Sequence, residues 1–290
     1  MNYYNKNTFI DPEERELRLQ LLAEQLATEC YISPSKEVQY PPTALSFGTH
    51  LFGDKEYPVT MGTYGNFSFI QGPPKTKKTF LASLMTAAFL TDGESEYIGK
   101  MRGHRDNKKC LHFDTEQGDF HASRVFNRVI KMSNANTDSY KTYALRPITP
   151  EERIAVIDYV LNMEQNVGLL VIDGVADLLN DVNNIEESNK LVQKLMYWSK
   201  TFDCHLLTII HSNWGSDKPT GHLGSALEKK AETQIQLKKN EEDDRMINVH
   251  CRNSRGKSFE DFSFYVDRVG LPRVASEDIE AYDTRIRNTD

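Results

Sequence analysis

Short apolar runs alternate with amphipathic segments through the middle of the chain. The runs GLLVID at 168–173 and HLLTIIH at 205–211 have few polar positions, which is typical of strands buried on both faces of a parallel sheet. Between such runs, apolar residues recur at helical spacing, as in 149–162, which opens with the capping box TPEE. The pattern predicts strands at 66–71, 110–114, 140–146, 168–173 and 205–211, and helices at 78–90, 119–132, 149–162 and 186–202. This alternation predicts an α/β fold with helices flanking a parallel sheet.

The N-terminal segment has a different pattern. Residues 11–30 place leucines at helical spacing after Asp11 and Pro12, which predicts an amphipathic helix that docks on a neighbouring subunit or packs on its own core. Residues 31–66 are rich in Pro, Gly and Tyr and predict an irregular connector. We therefore expect an N-terminal helical extension at 1–40.

The pattern changes again after His211. A polar, Gly-containing loop at 212–224 is followed by alternating segments that predict antiparallel strands at 233–239, 245–252 and 261–267. The charged run NEEDDR at 240–245 predicts a hairpin turn. A C-terminal antiparallel β-meander therefore extends the predicted sheet, which places the core at 41–270 and a tail at 271–290.

Composition narrows the class of protein. The net charge of −7 and the pI near 5.7 differ from the basic balance of a free-standing nucleic-acid binder, so DNA contact would be local or assembled from several subunits. The sequence has no apolar run of membrane-spanning length, and MNYYNKNTF lacks the apolar region of a signal peptide, so we expect none. Its four cysteines are widely spaced. Together these features predict reduced thiols, no membrane partner and a cytoplasmic location.

The segment GPPKTKKT at 72–79 lies between a predicted strand and a predicted helix, the context of a phosphate-binding loop. In such a loop Gly72 turns the chain out of the strand, and backbone N–H groups at the helix start bind phosphate. Lys78 would contact the phosphates, and the Thr79 hydroxyl would coordinate Mg²⁺. The predicted nucleotide-binding residues are Gly72, Pro73, Pro74, Lys75, Thr76, Lys77, Lys78, Thr79 and Phe80.

One position departs from the phosphate-loop template, which has glycine immediately before the signature lysine. Lys77 occupies that position here, and Lys75 adds another charge inside the loop. Either the loop is a working variant whose extra lysines neutralise phosphate charge, or it is degenerate and supports weak or no hydrolysis.

Acidic and imidazole groups follow three of the predicted strands. Asp173 ends GLLVID, where an acid completes a magnesium site. Glu116, just past the strand 110–114, is the candidate to polarise an attacking water, while Asp114 assists Mg²⁺ or holds the loop. His211 ends the last parallel strand, where an imidazole can sense a γ-phosphate and move the loop after it.

Basic residues suggest contacts beyond the nucleotide. HCRNSRGKSF at 250–259 contains Arg252 and Arg255, which compete as an arginine acting on a neighbouring subunit's site. The loop after His211 contains Trp214, Lys218 and His222, a combination able to stack a base and contact phosphates. A second basic cluster consists of Lys100, Arg102, Arg105, Lys108 and Lys109.

The order GPPKTKKT, FDTE, LLVIDG, IIHSN, GHLGSA and CRNSRG resembles the RecA-like P-loop ATPases. It is most similar to RepA-type hexameric replicative helicases and to AAA-type ATPases of Bacteroidota mobile elements and phages, over residues 41–267. The resemblance implies ATP and Mg²⁺ as ligands and a homo-oligomer, a hexameric ring with ATP between subunits. It also implies contact with single-stranded DNA through the loop Ser212–Leu223. By resemblance, the site residues are the Walker A pair Lys78 and Thr79, the Walker B acid Asp173, the catalytic Glu116, the sensor His211 and the trans-acting Arg255.

Four functions remain as alternatives at this point. The favoured one is an ATP-hydrolysing motor on DNA, a helicase or loader that serves replication or mobility of a genetic element. The others are a recombination or repair filament ATPase, a nucleotide-dependent assembly or signalling switch with little turnover, and a small-molecule kinase. The kinase is disfavoured because the sequence shows no obvious substrate lid.

Overall fold

Helices and strands alternate along most of the described chain. A computed structural model describes residues 12–91, 93, 95–213 and 216–275. The helices there are α1 (Pro12–Cys30), α2 (Lys78–Leu90), α3 (Asp119–Ser133), α4 (Pro150–Met163), α5 (Ile185–Thr201) and α6 (Gly221–Lys230). The strands are β1 (Thr43–Phe52), β2 (Lys55–Thr63), β3 (Phe67–Gly72), β4 (Met101–Gly103), β5 (Lys109–Asp114), β6 (Tyr140–Ala144), β7 (Val167–Asp173), β8 (His205–His211), β9 (Thr233–Lys239), β10 (Met246–Ser254), β11 (Phe262–Val266) and β12 (Pro272–Val274). A 3-10 helix, Val175–Leu178, follows β7.

The chain divides into two compact units between Tyr40 and Pro41. In the first unit, α1 begins at Pro12, and the proposed capping residue Asp11 lies outside the described residues. The leucines that predicted this helix are exposed: Leu19 by 57%, Leu22 by 48% and Leu26 by 41%.

A nine-stranded sheet organises the second unit, in the order β12-β11-β10-β9-β3-β8-β7-β5-β6. The strands from β9 to β6 are parallel to their neighbours, and β10, β11 and β12 add to β9 in antiparallel fashion. The observed architecture confirms the predicted α/β class: a mostly parallel sheet flanked by helices, with antiparallel strands at the C-terminal end, as in a RecA-like P-loop domain. Parallel pairing brings the carboxyl ends of β3, β5, β7 and β8 to one edge of the sheet.

Two apolar layers cover the sheet. On one face lie α2 and α3 with the small sheet β2-β1-β4, and on the other lie α4, α5 and α6. Helix α2 is apolar on all sides and almost fully buried, so the phosphate-loop helix is held in the core along its length. Helix α4 begins with the predicted capping box, in which Thr149 and Glu152 exchange hydrogen bonds with each other's backbone N–H groups.

Three parts of the chain differ from the sequence prediction. The expected connector at 31–66 contains β1 and β2, and β2 accommodates Pro58 because it is an edge strand. The loop predicted at 212–224 ends at Thr220, since α6 begins at Gly221. The sheet also extends beyond residue 270, because Pro272–Val274 form β12 beside β11 within the segment assigned to the tail.

Candidate active site

The phosphate-binding loop connects β3 to α2 at the carboxyl edge of the sheet. Gly72 ends β3 where an added Cβ would lie 2.7 Å from the Thr76 hydroxyl and 3.0 Å from the Leu237 carbonyl oxygen, so the turn has no room for a side chain. Pro73 and Pro74 have no N–H groups, so they can shape the loop but cannot donate to phosphate. The backbone donors of the loop therefore begin at Lys75 and continue into the first turn of α2.

Lys77, which occupies the position of the template's glycine, adopts a left-handed conformation. Its φ is 58° and its ψ 34°, and Lys75 also has a positive φ of 65°. The loop thus places two lysines in a backbone conformation that costs conformational strain. The Lys77 ammonium donates to the carbonyl oxygen of Arg245, 3.3 Å away in the β9–β10 hairpin, so in this structure its charge is directed to the hairpin.

Lys78 points into the site from the first turn of α2. Its Nζ donates to the carbonyl oxygens of Gly72 and Pro73, both at 3.0 Å, and lies 2.9 Å from Nδ1 of His211. Burial lowers the pKa of Lys78 to about 8, although Glu116 and Asp173 favour its charged form. The ammonium is thus buried among acceptor groups: two carboxylates, two carbonyl oxygens and an imidazole nitrogen. A phosphate would be a further negative partner that favours its charged form.

Asp173 ends β7 directly beside Asp114 of β5 in the parallel register. Its side chain is buried, its Oδ2 has no hydrogen-bond partner, and burial with the neighbouring Asp114 and Glu116 raises its pKa to about 8. The nearby Thr79 hydroxyl favours the ionised form of this carboxylate and so opposes the effect of burial on its pKa. A buried carboxylate oxygen without a partner next to a threonine hydroxyl matches the oxygen ligands that Mg²⁺ takes from a protein when phosphates supply others. Asp173 and Thr79 therefore fit the predicted metal site.

Asp114 organises the loop that presents Glu116. One Asp114 oxygen accepts from the backbone N–H groups of Glu116 (3.0 Å) and Gln117 (2.8 Å), and the other accepts from the Gln117 side chain at 3.0 Å. Of the two roles open to Asp114, these bonds favour holding the loop.

Glu116 and His211 meet over the loop. Glu116 Oε1 lies 3.7 Å from His211 Nε2, and both side chains are partly exposed. Burial and the nearby Asp177 raise the pKa of Glu116, which makes its carboxylate a better proton acceptor than a solvated one. Burial and the adjacent Lys78 lower the pKa of His211, so its imidazole is neutral and its Nδ1 accepts from Lys78.

Asp177, in the 3-10 helix, belongs to this cluster although the sequence analysis missed it. Its Oδ2 lies 3.0 Å from the Thr115 hydroxyl, and its charge acts on both Glu116 and His211. Gly174 makes this approach possible with a φ of 102°, because a Cβ there would lie 2.4 Å from that hydroxyl. The only sequence clue was an acid four residues beyond the Walker B position.

Other predicted residues lie outside this cluster. The Phe80 ring packs on the core beneath the guanidinium of Arg128, 3.8 Å from the ring centroid, so Phe80 has only its backbone to offer a nucleotide. Arg255 lies near the amino-terminal ends of the parallel strands, away from the phosphate-binding loop. Its backbone N–H donates to the Glu232 carbonyl oxygen, and the Glu232 N–H donates to the carbonyl oxygen of Phe67, the first residue of β3. Any action of Arg255 on a phosphate would therefore be on another subunit's site.

Arg252 and Arg255 have separate partners. Arg252 donates to the Asp217 carbonyl oxygen in the loop after β8, whereas Arg255 donates to the Lys230 carbonyl oxygen at the end of α6, at 2.7 Å. Trp214 lies outside the described residues, Lys218 is exposed, and His222 lies in the first turn of α6.

The basic residues of the second cluster contact different parts of the structure. Lys108 pairs with Asp203 at 3.3 Å, and Lys109 pairs with Glu164 at 2.9 Å. Lys100 and Arg102 instead line a cleft of about 610 Å³ together with Lys257. Lys100 lies 3.8 Å from Glu260 within that cleft.

A family model described as AAA domain matches residues 60–217, more than half of the 290-residue chain. The chain belongs to the AAA domain family. These are P-loop ATPases, so this AAA domain is a nucleotide-binding protein of the nucleotide-hydrolysing class. The match includes Lys78, Glu116, Asp173 and His211, while Arg255 and the strands after β8 lie outside it.

No curated protein matches the chain. Among the described helices, none has the length and apolar composition needed to cross a bilayer.

Proposed function

We propose that this AAA domain binds ATP with Mg²⁺ at the carboxyl edge of its sheet and hydrolyses it to drive a motor acting on DNA. The observation that supports this most is the convergence of Lys78, Thr79, Asp173, Glu116 and His211, which come from four different strands or strand–helix junctions and meet at one edge. A purely structural ion-pair network does not need a buried carboxylate oxygen without a hydrogen-bond partner at its centre, as Asp173 Oδ2 is here.

Each residue has a defined role in this proposal. The loop N–H groups and Lys78 bind the β- and γ-phosphates, and Asp173 and Thr79 hold the metal. The metal, when bound, neutralises charge that develops on the phosphates. Glu116 orients water and accepts its proton, and its raised pKa suits that task. Neutral His211 accepts from Lys78 at Nδ1, which leaves its proton on Nε2. When Lys78 turns to the phosphates, this Nε2–H would donate to the γ-phosphate.

The DNA part rests on the loop that directly follows His211. Lys218 is exposed there, and Ser212 pairs with Pro219 so that the loop returns to the sheet edge beside the nucleotide site. A strand of DNA contacting Lys218 would thus lie next to the residue that senses phosphate. The hexameric ring and the use of Arg255 in a neighbouring site belong to the same proposal.

The alternative is a switch with little turnover. Lys77 favours it, because a strained lysine directed towards Arg245 leaves the loop without the glycine of efficient hydrolases. Both functions predict Mg·ATP binding, so only turnover separates them.

ATP hydrolysis measured with and without single-stranded DNA, together with a native mass, tests the motor. We expect DNA to stimulate hydrolysis, Glu116→Gln to bind ATP but lose turnover by about 100-fold or more, and exposed Glu37→Gln to behave as wild type. Normal hydrolysis by Glu116→Gln would refute the assignment of the base. Tight ATP binding without turnover in the wild type would favour the switch.

A further inference from the structure

Gln71 is a fully buried polar residue immediately before the phosphate-binding loop. A buried amide is costly unless its donors and acceptor are paired. Both ends of this one are used: Nε2 donates to the Asp217 carbonyl oxygen at 2.8 Å, and Oε1 accepts from Gln234 Nε2 at 3.0 Å. The side chain therefore links the central strand β3 to the loop 212–220.

Asp217 is held from three strands. Arg252 of β10 also donates to its carbonyl oxygen, and Lys238 of β9 pairs with its carboxylate at 2.8 Å. The Lys238 pair is about half exposed on both sides and is worth little in water. The bond from Gln71 comes from a side chain shielded from solvent, so it constrains the loop more strongly.

Gln71 and Gly72 contact the segment after β8 at two points, Asp217 and Ser212, and Gly72 also contacts Lys78. The Gly72 carbonyl oxygen accepts from the Ser212 N–H and from Lys78 Nζ, each at 3.0 Å. If Lys78 turns to a phosphate, the Gly72 carbonyl loses a charged donor. This carbonyl belongs to the residue directly after Gln71, whose side chain holds Asp217.

We propose that Gln71 is a positioning residue through which the nucleotide state of the phosphate-binding loop sets the conformation of residues 216–220. The nucleotide half of this inference rests on the proposed function. Asn253 provides a matched control, because it belongs to the same series of hydrogen-bonded side chains as Gln71 and Gln234. Asn253 Nδ2 donates to Gln234 Oε1 at 2.6 Å, on the side of Gln234 away from Asp217.

Hydrogen exchange of the amides at 216–220, with and without Mg·ATP, tests the proposal in the full chain. Gln71→Met keeps the length of the side chain and removes its hydrogen bonds. We expect exchange without nucleotide to be about tenfold faster in this variant and the nucleotide-dependent change to be lost, with ATP affinity unchanged. Asn253→Ala should keep the wild-type response.

Three outcomes would overturn the inference. These are a wild-type response in Gln71→Met, an equal loss in Asn253→Ala, which would indicate general loosening, and a wild-type loop that does not respond while ATP binds. The last leaves the proposed ATPase intact. A wild type that does not bind Mg·ATP refutes the proposed function itself, and the nucleotide-free exchange of Gln71→Met still decides whether the tether exists.

Discussion

Replacing Asp173 by asparagine should make the nucleotide-free protein more stable while removing a ligand of the proposed metal site. The carboxylate is buried, one of its oxygens lacks a partner, and Asp114 and Glu116 lie near it. Its pKa is raised from 3.8 to about 8, and each tenfold change in proton affinity corresponds to about 1.4 kcal/mol. The Thr79 hydroxyl and the Lys78 charge offset part of the cost of ionising Asp173. We therefore expect Asp173→Asn to raise the free energy of unfolding by about 1–3 kcal/mol at pH 8.

The stability gained by Asp173→Asn should depend on pH, and the raised pKa gives the direction of that dependence. A carboxyl group whose pKa is higher in the folded state contributes stability below its unfolded pKa, and that contribution is lost as the pH rises through about 8. The advantage of Asp173→Asn should therefore be small near pH 4 and grow towards pH 8. Denaturant unfolding at several pH values without nucleotide measures it, with exposed Asp54→Asn as the control. An Asp173→Asn protein less stable than wild type at pH 8, or a gain that shrinks with pH, would refute the reasoning.

Two further substitutions test local structure by denaturant unfolding. Lys77→Gly should be about 1 kcal/mol more stable than Lys77→Ala, because alanine keeps the left-handed strain and glycine does not; equal stability of the two would mean that this backbone is not left-handed. Thr149→Ala should lower the stability by about 1 kcal/mol through loss of the capping box of α4, and an unchanged midpoint would contradict that role.

The parallel core was predictable because its strands are buried on both faces. Runs such as 168–173 have no polar residue until the strand ends, so the position of Asp173 at the sheet edge follows from the pattern. Both ends of helix α2 were predictable, because its apolar residues begin directly after the phosphate-binding loop and end before Thr91.

The small sheet and part of the site were not predictable from periodicity. Strands β1 and β2 are interrupted by register shifts, and the Gly and Pro residues in and between them favour an irregular segment. Strand β4 has three residues, too few for a period. Asp177 reaches Thr115 because Gly174 turns the chain back. Such a contact between distant segments produces no regular spacing of residue types in the sequence.

Calorimetric titration with Mg·ATP of the wild type and of Lys78→Ala is the most direct test of nucleotide binding at the phosphate-binding loop. We expect one binding site per chain in the wild type and a loss of at least about tenfold in affinity in the variant, because a buried charged donor to phosphate is removed. Equal binding by both proteins, or no binding by the wild type, would contradict this expectation.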